Sequence, residues 1–133
     1  MFNFPQRVYY EHTDHGGVVY HANYLKFMER ARTEWLRELG FWQSRLAEQE
    51  QLLFAVSNMH LHFLRPARFD DWLDVSVEAV RPGGARLRLR QQISCADVLM
   101  CWADVEVACL DADTMKPRRI PGSIRTELSK HAD

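Results

Sequence analysis

Residues 10–24 hold the densest group of chemically active side chains in the sequence. This segment carries the carboxylate of Asp14, three imidazoles and two consecutive glycines, and it leads into the longest amphipathic stretch of the chain. A helix start presents unpaired N–H groups with partial positive charge, so it polarises an electrophile placed against it. Asp14 precedes His21 by seven residues across the Gly-Gly turn. A carboxylate so placed can act on an electrophile held at a helix start, whereas aspartate alone before a helix is more commonly a turn or capping residue.

One long helix must position this segment. Apolar side chains recur in steps of three and four over about residues 21–39, and Gly40 follows as a C-terminal stop. A shorter helix is predicted over residues 42–49. A strand is predicted over residues 5–11, ahead of the turn, with a proline tolerated only at its start.

Alternating apolar and polar side chains predict four more strands. They cover residues 52–64, 72–81, 86–93 and 98–110, and tight turns join the last three. The order predicts an α+β fold with a largely antiparallel five-stranded sheet. Since no linker, repeat or low-complexity segment interrupts the pattern, residues 1–133 are predicted to form a single domain.

A stripe of arginines (Arg86, Arg88 and Arg90) along one predicted strand has two interpretations, an anion-binding patch or cross-strand ion pairs. Acidic residues on both predicted neighbouring strands favour the ion pairs. The candidate partners are Asp74, Glu78, Asp104 and Glu106.

Composition narrows the class of protein. Apolar residues make up 47% of the chain and charged residues 26%, and the formal net charge is -1, which argues against binding nucleic acid by bulk charge. No apolar run approaches the ~20 residues that span a bilayer, and the N-terminus does not resemble a signal peptide. The three cysteines lie in apolar, strand-like segments without a CxxC pair, which predicts buried, reduced thiols. A cytoplasmic protein without a membrane span is predicted.

The histidines around Asp14 raise the alternative of a metal site. His12 and Asp14 would share one face of a strand, but His15 would point away, and nothing directs His21 towards them. The spacing argues against a metal, and no cofactor is predicted. One helix covers only one face of the sheet and leaves its edges open, so a homo-oligomer is expected.

The order of strand, Asp-containing glycine turn, long helix and four strands resembles the hotdog-fold thioesterases. The resemblance is closest to the Tol-Pal-associated acyl-CoA thioesterase type, within the 4-hydroxybenzoyl-CoA thioesterase group. It runs from Arg7 to about Ile124, and the matching segments are 7–11, 13–14, 16–24, 29–34, 66–71 and 115–118. It implies a hotdog fold, with the five-stranded antiparallel sheet wrapped around one long helix. It also implies an enzyme that hydrolyses acyl-CoA to a free acid and CoA, as a homodimer or homotetramer with active sites between protomers.

The resemblance also implies roles for individual residues. Asp14 stands at the catalytic position, as general base or nucleophile, and the backbone N–H near His21 stands where the thioester carbonyl is polarised. Tyr20 and Tyr24 are candidate walls of the substrate pocket. The chain departs from the type at His12 and His15, where an acidic and a small residue are usual, and both histidines are expected to modify the aspartate.

Two further expectations concern the substrate and its alternatives. Lys116 and Arg118 lie in a proline-stiffened basic segment that suits nucleotide phosphates, or else forms an ordinary solvated turn. The competing function is a non-catalytic hotdog module that binds acyl carrier protein or lipid-synthesis and envelope partners, because a fold does not guarantee its function.

Overall fold

The structure, a computed structural model, describes residues 1–130 except the side chains of residues 81–83; residues 131–133 of the predicted domain lie outside it. Over the described residues the chain forms five strands and three helices. These are β1 (Phe2–Arg7), α1 (His21–Glu38), α2 (Gln43–Glu50), β2 (Leu52–Phe63), β3 (Trp72–Gly83), β4 (Arg86–Cys95), β5 (Val98–Asp111) and α3 (Gly122–Ser129).

The five strands form one antiparallel sheet in the order β1-β3-β4-β5-β2, and the sheet packs around α1. Phe27, Met28 and Ala31 of α1 are fully buried, and they belong to one core with Leu73 and Val75 of β3. Full burial of a large apolar side chain contributes roughly 1.5–3 kcal/mol. The predicted hotdog arrangement is confirmed.

The structure corrects the predicted first strand. β1 spans Phe2–Arg7 and not 5–11, and Tyr10–His12 form a single turn of 3-10 helix. Pro5 lies in the middle of β1 and not at its start. The missing N–H is tolerated there because β1 is an edge strand and pairs only with β3.

The other elements lie within two residues of their predicted bounds, with one helix added. Gly40 has a φ of +95°, as a helix stop in the left-handed region requires. Helix α3 was not predicted; Ile124 and Leu128, four residues apart, bury its inner face.

The arginine stripe forms the predicted cross-strand ion pairs. Arg86 and Arg88 pair with Glu106, and Arg90 lies 3.0 Å from Asp104. Both partners lie on β5, and none of these pairs uses the acidic residues of β3. Two carboxylates of β5 therefore offset most of the positive charge of the stripe.

The buried face of β4 carries one polar side chain, Gln91, which is fully buried. Its amide nitrogen donates to the carbonyls of Met28 (3.0 Å) and Ser76 (3.3 Å), and its oxygen accepts from Arg32 at 2.8 Å. Because every polar group of the amide is satisfied, this network fixes α1 against the sheet at low desolvation cost.

Candidate active site

The Asp14 segment forms a small antiparallel hairpin over residues 12–20, hereafter the 12–20 hairpin. Thr13 bridges Val19, the Asp14 N–H donates to the Val18 carbonyl at 2.9 Å, and the Tyr20 N–H donates to the His12 carbonyl at 2.9 Å. The second arm continues directly into α1. The hairpin therefore carries Asp14 on its turn and delivers the chain to the helix start.

The two glycines of the turn serve different physical needs. Gly17 has a φ of +79°, in the left-handed region that L side chains rarely adopt, and a Cβ there would meet no heavy atom within 4 Å. At Gly16 no such φ occurs, but an added Cβ would lie 3.2 Å from the Asp14 Oδ1 atom. Gly17 permits the backbone of the turn, and Gly16 leaves room for the carboxylate.

The Asp14 carboxylate is exposed on this turn. Its Oδ1 accepts the Gly16 N–H at 2.8 Å, so the residue makes the turn hydrogen bond that is typical of aspartate. It does not cap α1, because the N-cap residue is Tyr20. The second carboxylate oxygen has no hydrogen bond to the described part of the chain, which leaves it available to a substrate or a water molecule.

Helix α1 begins at His21 without a side-chain cap. Tyr20, the N-cap residue, makes no side-chain capping bond, and the first turn contains no acidic residue. Among the described residues the His21 backbone N–H has no hydrogen-bond acceptor. The His21 imidazole is exposed and contacts the Tyr20 ring at 4.3 Å between centroids. An open, uncompensated helix start of this kind suits a developing negative charge.

A groove of about 270 Å³ lies beside the helix start. It is lined by Val19, His21, Tyr24, Phe63, Leu64, Arg65 and Pro66. Tyr24 is almost fully buried, and its hydroxyl accepts the Ala67 N–H at 3.0 Å, so it holds the wall of the groove in place. Burial raises the pKa of the Tyr24 hydroxyl. Tyr20 is half-exposed and does not line the groove.

Two groove residues, Leu64 and Pro66, were missed from the sequence. They follow β2, whose last residue is Phe63, about forty residues beyond Tyr24, and nothing local pointed to their meeting with Tyr24.

Lys116 and Arg118 lie far from the helix start within one chain. The Arg118 Nη1 donates to the carbonyls of Glu50 (2.7 Å) and Gln51 (3.3 Å), where β2 begins, whereas the groove lies where β2 ends. The twelve residues of β2 span roughly 36 Å. The Lys116 side chain is exposed. A single chain therefore carries Asp14 and His21 on one hairpin-to-helix segment and places these basic residues elsewhere.

Other reactive groups are placed away from such chemistry. Burial raises the pKa of the Cys101 thiol to about 12, and it also raises the pKa of Cys95 and Cys109, which argues against a thiolate nucleophile. All three cysteines are free thiols. Within residues 1–130, no group of three or more His, Cys, Asp or Glu side chains is arranged to hold a metal ion, and no helix is long and apolar enough to cross a membrane.

Comparison with known proteins decides the family. The family model described as the thioesterase superfamily matches residues 16–101, starting two residues after Asp14. The chain belongs to the thioesterase superfamily. The acyl-CoA thioesterase YbgC of Haemophilus influenzae is 45% identical to it over 124 residues, covering 93% of this chain and 91% of that protein.

Two further comparisons place this thioesterase among its relatives. The acyl-CoA thioester hydrolase YbgC of Escherichia coli O6:H1 is 45% identical over 131 residues, covering 98% of this chain and 97% of that protein. A crystal structure of a probable thioesterase from Bartonella henselae is 43% identical, with a TM-score of 0.85, and covers 90% of this chain and 98% of that chain. The similarity therefore extends over nearly the whole thioesterase chain.

Proposed function

We propose that this thioesterase hydrolyses acyl-CoA to a free acid and CoA, with Asp14 as general base or nucleophile. The observation that carries the proposal is the 12–20 hairpin, which presents an exposed carboxylate on its turn and leads into an uncapped helix start beside a groove. The names of the two YbgC relatives support the substrate class. Within the family we assign the chain to the Tol-Pal-associated type of the 4-hydroxybenzoyl-CoA group, on the motif resemblance.

The chemistry needs few groups. The thioester carbonyl oxygen accepts the His21 backbone N–H, which stabilises the negative charge that develops on it. Asp14 takes a proton from the water molecule that attacks the carbonyl carbon, or it attacks that carbon itself and forms a mixed anhydride, which water then hydrolyses to the free acid. The leaving group is a thiolate whose conjugate acid has a pKa of about 8.5, so a strong general acid is not needed. Tyr24 forms the wall of the pocket.

The test of Asp14 is the Asp14→Asn variant, which keeps the shape of the side chain and removes its charge. We expect a loss of ~10²–10⁴ in kcat, the range that general base catalysis supplies. Release of free thiol from acyl-CoA measures activity, and circular dichroism checks folding. Asp97→Asn, at an exposed aspartate in the turn between β4 and β5, is the matched control. Wild-type turnover by Asp14→Asn would show that the assignment of Asp14 is wrong.

We also propose that the thioesterase is a homodimer formed through β2, with a homotetramer as a further assembly. β2 is a twelve-residue edge strand, and large apolar side chains are exposed on it and just beyond it. Val56 is 46% exposed, Phe63 53% and Leu64 54%. A long edge with such side chains is a template for pairing with another strand. A second copy of β2, antiparallel across a two-fold axis, would pair with this edge and supply hydrogen-bond partners for its backbone.

Such a dimer changes the position of Lys116 and Arg118. Because antiparallel pairing sets the start of one β2 beside the end of the other, these basic residues come near the groove of the second protomer. There they would bind the nucleotide phosphates of CoA, with Lys116 as the free charge and Arg118 through its remaining donors. The active site would then be shared between protomers.

A mixed dimer tests this sharing. Co-purified heterodimers of an Asp14→Asn chain and a Lys116→Ala chain contain one fully intact site if the two residues act across the interface. We expect about half the wild-type kcat and a wild-type KM. If both residues act within one chain, the only site that still hydrolyses substrate is the one that lacks Lys116. The KM of the heterodimer would then equal that of the Lys116→Ala homodimer. A monomeric wild-type protein in analytical ultracentrifugation would contradict the dimer itself.

The alternative function is a non-catalytic module for acyl carrier protein or for lipid-synthesis and envelope partners. The departures from the family type at His12 and His15 motivate it. A panel of short, long and aromatic acyl-CoAs separates the two functions, because wild-type activity on none of them would favour the module. We further propose one domain over residues 1–133 and a cytoplasmic location, which the three free cysteines support.

A further inference from the structure

His12 is a buried imidazole next to the site, and the proposed chemistry does not use it. The residue is 4% exposed, and its ring packs edge-on against Phe27 with 4.8 Å between centroids. Its Nδ1 accepts the Tyr9 backbone N–H at 2.9 Å. A nitrogen that accepts a hydrogen bond carries no proton, so the ring is the neutral tautomer with its proton on Nε2.

The backbone carbonyl of His12 also makes hydrogen bonds, and these lead to the start of α1. Its carbonyl accepts the Tyr20 N–H and the Asn23 Nδ2–H, each at 2.9 Å. Tyr20 and Asn23 flank the first helical residue, His21, and Asp14 follows His12 by two residues. One buried residue therefore joins the turn before the hairpin, the base of the hairpin and the first turn of α1.

We propose that His12 is a positioning residue for thioester hydrolysis, whose neutral ring holds the Tyr9 amide and thereby keeps the 12–20 hairpin seated on the start of α1. The inference rests on the proposed function. It assigns His12 a role through the backbone of the site and not through direct contact with the Asp14 carboxylate.

The electrostatic surroundings make this arrangement sensitive to acid. Burial lowers the pKa of His12 below its ordinary value of 6.5; Glu11 opposes the shift, and Arg30 and Lys26 on α1 add to it. Arg7 on β1 lines the same cleft. The His12 Nε2 has no hydrogen-bond acceptor in the described chain, and the Glu11 Oε1 lies 3.4 Å away. Protonation would put a second N–H opposite the Tyr9 N–H and break the bond between them.

Three variants test the role by activity. His12→Ala removes the acceptor, and we expect kcat to fall ~10–100-fold with little change in KM, because a displaced catalytic group lowers kcat steeply. His12→Asn offers an amide oxygen to the Tyr9 N–H without titrating. This variant should restore most of the lost kcat. It should also move the acid limb of the profile of kcat against pH to lower pH. His60→Asn, at an exposed histidine on β2 outside the hairpin, should leave the acid limb unchanged.

A measurement on the wild-type protein supplies an independent decision. Nitrogen-15 NMR of labelled histidines should show the His12 Nδ1 unprotonated and the Nε2 protonated at pH 7.5. The opposite tautomer or a cation there would overturn the inference, as would a His12→Asn acid limb identical to wild type. If the wild-type protein hydrolyses no acyl-CoA, the proposed function fails. The role of His12 is then decided by hydrogen exchange of the Tyr20 and Asn23 backbone amides. Faster exchange in His12→Ala than in His12→Asn supports the positioning role, and equal rates overturn it.

Discussion

The backbone N–H of His21 can be removed without disturbing the helix that carries it. His21 is the first residue of α1, the position where proline is favoured because its missing N–H has no helical partner. Tyr20, which would precede the proline, has φ -66° and ψ 137°, in the extended region that a residue before proline prefers. His21→Pro therefore removes the proposed donor to the thioester carbonyl, together with the imidazole, and leaves the helix start in place.

The expected size follows from comparable sites. Loss of one oxyanion donor costs ~10²–10³ in kcat, or about 2.7–4 kcal/mol of transition-state stabilisation. Since the exposed His21 N–H makes no hydrogen bond to another described residue, the free energy of unfolding should change by no more than about 0.5 kcal/mol. His21→Ala removes the imidazole and keeps the N–H, so it should retain most of the wild-type kcat.

Thiol release from acyl-CoA gives kcat and KM for both variants, and thermal unfolding monitored by circular dichroism gives their stability. A large loss in His21→Pro with a small loss in His21→Ala identifies the backbone donor. Equal, near-total losses in both would place the function in the imidazole. Wild-type kcat in His21→Pro would refute the proposed donor outright.

Three further outcomes are expected. Gly17→Ala should lower the free energy of unfolding by about 1–2 kcal/mol, because it places an L side chain at a φ of +79°, while the activity of the folded fraction is retained. Gly16→Ala should lower activity and leave stability nearly unchanged, because its Cβ would lie 3.2 Å from the Asp14 Oδ1. We expect kcat to fall several-fold with little change in unfolding temperature. Equal effects of the two variants on stability would contradict this division of roles between the two glycines. Because the pKa of His12 is lowered on folding, the unfolded chain binds more protons below pH 6.5, so denaturant titrations should show stability falling as the pH drops below that value, with a flatter profile in His12→Asn.

Local sequence predicted the parts of the site that lie close together in the chain. Asp14, the glycine turn and the start of α1 are joined by hydrogen bonds between residues less than ten positions apart, so residue type and spacing were sufficient to place them. The groove was not predictable in this way, because Phe63 reaches Tyr24 only through the path of β2. The separation of Lys116 from the helix start likewise depends on strand length and direction.

The errors in secondary structure have similar causes. A proline was expected at a strand start, but strand order makes β1 an edge, where Pro5 is tolerated in the middle. The 3-10 turn over Tyr10–His12 depends on the burial of His12, a polar residue whose pattern in sequence is that of an exposed position. Only tertiary packing explains either feature.

The position of Pro5 has a consequence for how large an assembly can grow. A sheet with two equally receptive edges can add copies at both ends and so extend into a fibre. Here one edge is a short strand interrupted by a proline, and only the other, β2, is long and uninterrupted by proline. If only one edge of each protomer can pair with another strand, pairing of β2 with β2 occupies both of these edges at once. The continuous sheet then cannot extend beyond two chains.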